Sequence, residues 1–198
     1  MLECSRQWRT EIIERSLNFD YKIILAAIQR YPSQKSIKTI KEELIGYSFS
    51  QALMRVGLFA KNTPLSKNFE VILDWPESSN PKPFNLEYFS AYNLGKSNKN
   101  IDYFCGPLRR LGFKDSVYFA KSTHSSVLQF TDLIIGAARQ FIIKVTADDD
   151  YDSIGYDLTL KLLCKYHGYP CKIIDYGMNF SPKNEDFNKL KFEIEKII

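Results

Sequence analysis

The sequence predicts a mixed α/β domain in which helices flank a sheet. Segments with the apolar pattern of strands alternate along the chain with segments of helical periodicity, and this order is typical of α/β sheets. The composition, with 44% hydrophobic and 25% charged residues, is that of an ordinary globular protein. Because the turn-rich segments are short and the sequence holds no repeat or low-complexity linker, one domain over residues 1–198 is expected.

The first half of the chain is predicted to hold two helices and two strands. A helix is expected from about Glu3 to Leu17, followed by a buried strand in "DYKIILAAIQRY". The segment "SIKTIKEELIGYSFSQALMRVGLFAKN" places apolar residues at helical spacing, with Ser36 as its N-cap. A short strand then runs from Phe69 to Asp74 and is stopped by Pro76.

The second half is predicted to alternate in the same way. Helices are expected in "LEYFSAYNL" and "GPLRRLG", the latter closed by Gly112, before a strand in "DSVYFAKS". A long helix from Ser125 to Ile143 follows, and then the turn "TADDDYDS", in which Asp152 or Ser153 caps the helix "IGYDLTLKLLCKYHG". The chain ends with a weak strand, "CKIIDYG", and an amphipathic helix that docks on the same chain, "DFNKLKFEIEKII".

The bulk chemistry predicts a soluble cytoplasmic protein. The formal charge of +4 permits a polyanion as partner without requiring one. Four cysteines in 198 residues and the charged opening "MLECSRQWRTEIIERS" indicate reduced thiols and no secretory signal. No membrane span is expected, because Gly136 and Arg139 interrupt the longest apolar stretch.

The helix from Ser125 to Ile143 raises the main chemical question, because it is apolar nearly all the way round and yet carries a carboxylate. Residues spaced by three and four share a helix face. One narrow stripe of polar or small residues is formed in this way by Gln129, Asp132, Gly136 and Arg139. Such a stripe most often faces water. The functional alternative is that Asp132 faces the end of the sheet.

A second carboxylate, Asp74, ends a strand whose preceding residues Val71, Ile72 and Leu73 are predicted to be buried. Sites in α/β sheets gather at the C-terminal ends of strands. Two carboxylates that converge raise each other's pKa unless a divalent cation neutralises them, and hard cations such as Mg²⁺ prefer that oxygen-rich setting. Asp74 and Asp132 are therefore the candidate metal ligands and catalytic residues.

The residues "VILDWPE" and "VYFAKSTHSSVLQFTDLIIGAARQ", in this order, resemble the family catalogued as domain of unknown function 3800 (DUF3800). The resemblance spans most of Tyr21 to Ile143, and its most distinctive part is "LQFTD", where the family pattern is "LQxAD". It implies an RNase H-like fold with a mixed sheet flanked by helices. It also implies that Asp74 is the strand acid, that Gln129 and Asp132 belong to the late motif, and that Ser122 is the serine of the family's "DSK" turn.

Two departures from the family pattern bear on activity. Members begin with a strand that carries an Asp-Glu-Ser motif and supplies the first metal-binding acid. That strand is missing ahead of "DYKIILAAIQRY", so a member truncated at its start, or one that has lost its first acid, is expected. Lys121 stands where the family has the Asp of its "DSK" turn. An ammonium group there can pair with Asp74 or Asp132 or hold a phosphate, but it cannot bind a metal.

The resemblance implies a metal-dependent, nuclease-type domain that uses Mg²⁺ or Mn²⁺ on nucleic-acid phosphodiesters, in phage defence or a mobile element. With the first acid missing, cleavage is expected to be impaired. The alternative is a non-catalytic nucleic-acid-binding or protein-interaction module that keeps the fold without the full acid set. Five basic and polar residues are expected to contact the substrate: Lys121, Ser122, Gln129, Arg109 and Arg110. Ordinary surfaces carry such residues too.

Other patterns carry weaker signals. "CKYHGYPC" spaces Cys164, His167 and Cys171 as zinc ligands, but a fourth ligand is missing nearby, so two half-buried thiols and a helix-end histidine are favoured. "DDDYDSIG" fails as a calcium loop, because apolar and basic residues fall at its ligand positions. Glu77 and His124 lie near the predicted site and are expected to be exposed loop residues.

Overall fold

The structure, a computed structural model, describes residues 2–29, 36–63, 68–74, 80–147 and 154–198. These residues form a mixed α/β structure, as the sequence predicts. In chain order the elements are α1 (Leu2–Ser16), β1 (Leu25–Ile28), α2 (Ile37–Asn62), β2 (Phe69–Asp74), α3 (Lys82–Leu94), β3 (Phe113–Ala120), α4 (Ser126–Thr146), α5 (Ile154–Leu162), α6 (Ile173–Tyr176), β4 (Met178–Ser181) and α7 (Glu185–Ile197).

The chain divides into two compact units. One is the continuous segment Arg30–Leu128, called here the inserted unit. The other, the outer unit, combines Met1–Gln29 with Gln129–Ile198. The expected single domain over residues 1–198 stays a prediction. Among the described residues the strands form two separate two-stranded sheets, one in each unit, in place of the single mixed sheet that the sequence suggested.

The outer unit pairs its first and last strands. β1 lies parallel to β4, with Leu25 opposite Met178 and Ile28 opposite Ser181. Helices α1, α4, α5 and α7 contribute apolar faces to one core. Residues at its centre that are almost fully buried include Ile13, Phe141, Leu158, Leu162, Ile173 and Ile194. The tail helix α7 docks on this core through Phe187, Leu190 and Ile194, which confirms its predicted amphipathic role.

The predicted strand in "CKIIDYG" is wrong by several residues. Residues 173–176 form a short kinked turn, α6, in which Asp175 takes a left-handed φ of 70°. This backbone reversal ends any extended run there, because a strand needs negative φ throughout. The strand begins only after Gly177, where Met178 and Phe180 are buried and pair with β1.

The inserted unit also holds a parallel pair, in which β2 pairs with β3 from Phe69 opposite Phe113 to Asp74 opposite Ala120. Both predicted strands are confirmed. Side chains on one face enter a core formed with α2 and α3, and those on the other face point outward. Ile72 belongs to the outward face and is half-exposed, so its predicted burial is wrong. The period of two along a strand accounts for the difference, since adjacent residues cannot all face one core.

Several local predictions are confirmed, and some fall outside the described residues. Ser36 caps α2, with its side chain accepting a hydrogen bond from Thr39 N at 3.2 Å. "LRRL" forms a 3-10 turn, Leu108–Leu111, which Gly112 closes with a φ of 88°. The acidic turn with the capping candidates Asp152 and Ser153 lies outside the described residues.

Helix α4 has the length and apolar composition of a membrane span, a property that no other helix in the described part of the chain shares. The core helix of a soluble protein can have the same length and composition. Buried residues of α4 recur at helical spacing on one side: Leu128, Ile134, Ala137, Ala138 and Phe141. The expectation that the chain has no membrane span stays a prediction.

Two glycines in the same helix are expected to respond oppositely to alanine. A Cβ added at Gly57 would lie 2.6 Å from Cys105 Sγ and 2.9 Å from Leu108 Cδ2, whereas one at Gly46 would meet no described atom within 4 Å. Gly46→Ala should raise the free energy of unfolding by about 0.5–1 kcal/mol through helix propensity. Gly57→Ala should lower it by about 1 kcal/mol, because the overlap outweighs that gain. Urea denaturation of both variants checks this, and equal stabilisation would show that the packing over Gly57 is loose.

Candidate functional site

The first candidate region is the C-terminal edge of the sheet in the inserted unit. Because β2 and β3 are parallel and Asp74 pairs with Ala120, both strands end at the same edge. The chain leaves β3 through Lys121 and then forms the 3-10 turn Ser122–His124. The structure therefore brings the predicted residues Asp74, Lys121 and Ser122 to one edge.

A hydrogen bond fixes the carboxylate at this edge. The backbone N–H of Ser122 donates to Asp74 Oδ1 at 2.8 Å, and the Asp74 side chain is exposed. An N–H that binds a carboxylate in this way orients it. Because the side chain is exposed, its second oxygen, Oδ2, can accept a hydrogen bond from water or from a ligand, or bind a cation.

Lys121 and His124 are the basic residues at the turn that follows β3. Both side chains are exposed, which confirms the expectation of a surface histidine. The pairing of Lys121 with a carboxylate stays a prediction. The turn then passes directly into α4, where Ser125 Oγ accepts a hydrogen bond from Leu128 N at 3.3 Å. The short connection between β3 and α4 thus presents a cation next to the carboxylate that ends β2.

The arginines predicted to accompany this site lie elsewhere. Arg109 and Arg110 belong to the 3-10 turn that precedes β3, and Gly112 O at its end accepts a hydrogen bond from Phe69 N at 2.9 Å. They therefore lie at the N-terminal edge of the sheet. Six residues of β2 separate the two edges, which is roughly 17 Å at the rise of a strand. Direct cooperation with Asp74 at one phosphate is excluded by this separation.

Asp132 and Gln129 belong to the outer unit, and both are exposed on α4. The predicted stripe of Gln129, Asp132, Gly136 and Arg139 is confirmed, since all four residues are exposed. Asp132 and Gly136 also line an open cavity of about 330 Å³ between α1, α4 and α5, together with Trp8, Arg9 and Gln140. The stripe therefore contributes to a concave surface within the outer unit. The predicted convergence of Asp132 with Asp74 stays a prediction.

The donor set for a metal is incomplete in the described part of the chain. No three His, Cys, Asp or Glu side chains among the residues described come together as a metal site. At the sheet edge Asp74 is the carboxylate, while Ser122 contributes an N–H and Lys121 an ammonium, neither of which binds a cation. This set does not fit the two-metal centre that the family resemblance implies. Glu77 lies outside the described residues.

The zinc pattern is not assembled either. Cys164 and Cys171 are exposed, which corrects the expected half-burial, and they do not cluster with His167 among the described residues. Burial and the nearby ammonium of Lys22 lower the pKa of His167, which keeps the imidazole neutral. The half-buried ring instead packs at 6.0 Å from that of Tyr176. A packing role therefore accounts for His167.

Sequence reasoning missed a buried polar network in the inserted unit. Glu87 is only 3% exposed, and it accepts hydrogen bonds from Tyr103 Oη at 2.9 Å and from Asn98 N at 2.9 Å. Burial raises the pKa of Tyr103 far above its ordinary value, so the phenol stays protonated and donates. Ser50 Oγ lies 3.1 Å from the same phenol oxygen. A glutamate in the apolar segment "LEYFSAYNL" was the one available signal.

Comparison with known proteins identifies no relative of this chain. No protein-family model, no curated protein and no solved structure matches the chain. The resemblance to the DUF3800 family therefore stays a prediction from the motifs quoted above, and the RNase H-like fold stays one as well.

Proposed function

We propose that this chain is an RNase H-like, nuclease-type domain related to the DUF3800 family, which acts on nucleic-acid phosphodiesters with impaired cleavage. Asp74 carries the proposal. It is an exposed carboxylate at the C-terminal end of a parallel strand, oriented by Ser122 N at 2.8 Å. Edges of this kind are where α/β sheets hold their sites.

The residues of this edge have defined roles in the proposed chemistry. Asp74 accepts a proton from the water that attacks phosphorus, while the bond from phosphorus to the leaving sugar oxygen breaks and that oxygen takes a proton from solvent. The exposed Lys121 neutralises charge on the phosphate. Mg²⁺ or Mn²⁺ is the cofactor that the resemblance implies, with Asp74 and Asp132 as its predicted ligands. Because the described donor set does not fit a two-metal centre, turnover is expected to be slow.

A non-catalytic nucleic-acid-binding module is the second candidate. It is favoured by the same incomplete donor set and by the charge of the inserted unit. The segment Arg30–Leu128 carries 14 Lys and Arg against 8 Asp and Glu, a net charge of +6 within a chain of +4. Basic excess concentrated in one unit suits a phosphate backbone as partner.

Cleavage of labelled single-stranded DNA, duplex DNA and RNA with Mg²⁺ or Mn²⁺ tests the proposal. We expect slow cleavage that falls roughly 100-fold or more in Asp74→Asn and in Asp132→Asn, as expected when an acid or base is removed. Asp20→Asn is the matched control, because Asp20 is an exposed acid between α1 and β1, outside both the candidate site and the basic unit.

Each outcome of this assay separates the candidates. Binding without cleavage by the parent chain would favour the non-catalytic module. Cleavage that survives unchanged in Asp74→Asn would refute the assigned site. A chain that neither binds nor cleaves any of the substrates would exclude both functions.

A further inference from the structure

A second surface of the inserted unit is built by the segment from Tyr103 to Leu111, which crosses the last turns of α2. Cys105 and Leu108 are buried and pack over Gly57, whose missing side chain admits them. Lys61 lies one helical turn beyond Gly57 on the same face of α2, and its Nζ donates to Phe104 O at 3.2 Å. The segment is therefore fixed to the helix at several points.

Phe104 is presented outward by a rigid turn. Gly106 N donates to Tyr103 O at 2.8 Å, which closes the turn, and Gly106 has a φ of 78°. Tyr103 and Cys105 on either side are buried, whereas Phe104 is 76% exposed, the most exposed large apolar side chain in the described part of the chain. An aromatic ring held in water between two buried anchors loses little conformational entropy when it binds a ligand.

Two cationic residues follow Phe104 in the same segment. Arg109 and Arg110 are exposed, and the fully buried Leu108 beside them holds their backbone against the core. Neither arginine forms an ion pair or hydrogen bond through its side chain with any residue that the structure describes. The nearest acid of the preceding loop, Asp102, is paired with Lys96 at 3.4 Å. The segment that holds the exposed ring thus also carries two exposed guanidinium groups, and the ammonium group of Lys61 binds its backbone.

We propose that this ring-and-cation surface, defined as Lys61, Phe104, Arg109 and Arg110, binds single-stranded nucleic acid. A base stacks on Phe104 while the cations contact flanking phosphates, which is the combination that single strands require and that a stacked duplex cannot use. The inference rests on the proposed function for its nucleic-acid partner and deepens it by naming the single-stranded class. Because the surface lies at the opposite edge of the sheet from Asp74, it anchors the strand away from the candidate cleavage site.

Fluorescence anisotropy with labelled 15-nucleotide DNA or RNA, in EDTA so that cleavage plays no part, tests the ring. We expect Phe104→Ala to weaken binding roughly 5- to 150-fold, the effect of losing one stacked base, and Phe104→Tyr to bind like the parent chain. Phe192→Ala on α7 is the matched control, because Phe192 is also exposed, at 69%, and belongs to the outer unit. An unchanged affinity in Phe104→Ala would overturn the proposal.

The salt dependence of the same binding tests the cations. Loss of two phosphate contacts in Arg109→Ala/Arg110→Ala should make the slope of log K against log salt shallower by about 1.4. Lys191→Ala/Lys196→Ala removes the same charge from α7 and should leave the slope unchanged. Equal affinity for a duplex of the same sequence, or equal competition by polyglutamate, would identify a general polyanion or acidic-protein surface and overturn the single-strand inference. These readouts do not depend on whether Asp74 supports cleavage.

Discussion

Replacement of Glu87 by Ala is expected to lower the free energy of unfolding of the inserted unit by about 3 kcal/mol or more. The buried carboxylate holds two donors, Tyr103 Oη and Asn98 N, and hydrogen bonds to a charged group contribute about 1.5–3 kcal/mol each. Alanine would remove the acceptor of both hydrogen bonds, and the buried Tyr103 Oη would keep only Ser50, whose O lies 3.1 Å away, as its partner. The loop that leads to Phe104 would then lose its anchor.

Urea denaturation measures this change, with amide exchange over residues 82–111 to locate it. Glu87→Gln should cost less than Glu87→Ala, because the amide oxygen still accepts one of the two hydrogen bonds. Glu70→Ala, at an exposed position of β2 in the same unit, should stay within about 0.5 kcal/mol of the parent chain. A loss below 1 kcal/mol in Glu87→Ala would mean that water replaces the carboxylate without strain.

Replacement of Gly168 by Ala is expected to lower the free energy of unfolding of the outer unit by about 3 kcal/mol. Gly168 has a φ of 87°, which costs an L residue about 1 kcal/mol, and an added Cβ would overlap the backbone carbonyl of Lys172. The clashing atom belongs to the backbone, so no side-chain rotation can relieve the overlap. The hydrogen bond from Lys172 N to Gly168 O, at 2.7 Å, also holds the two backbone segments together.

Gly106→Ala is the control that separates the cost of a positive φ from the cost of the steric overlap. Gly106 also has a positive φ, of 78°, but a Cβ there would meet no described atom within 4 Å, so only the backbone cost of about 1 kcal/mol is expected. Amide exchange of β1 and β4 reports on the outer unit. If Gly168→Ala is no worse than Gly106→Ala, the turn around Lys172 opens without loss of the core.

Strong local patterns made most elements predictable from the sequence. The strand from Phe69 to Asp74 and the cap at Ser36 were predictable because the apolar period and the capping side chain act within a few residues. β4 was not, because "MNFS" becomes a strand only through pairing with β1, far away in sequence. Ile72 was misjudged for a related reason, since a two-stranded sheet leaves one face of each strand uncovered.

The candidate site was predictable only in part. Asp74 and Ser122 could be placed together because the ends of parallel strands share an edge. The position of Arg109 and Arg110 at the other edge depends on the direction of β3, which a basic run does not reveal. Glu87 could not be recognised as buried, because its partners Tyr103 and Asn98 approach it only after the loop folds back.

The parallel pairing of β1 with β4 has a consequence for how the chain matures on the ribosome. The partner of β1 is synthesised only after the whole of Arg30–Leu128. The inserted unit is continuous and can complete its core while β1 and the apolar side of α1 still wait for the C-terminal residues. The strand β1 therefore stays unpaired until β4 has been made, and an unpaired strand edge is a template for aggregation in the meantime.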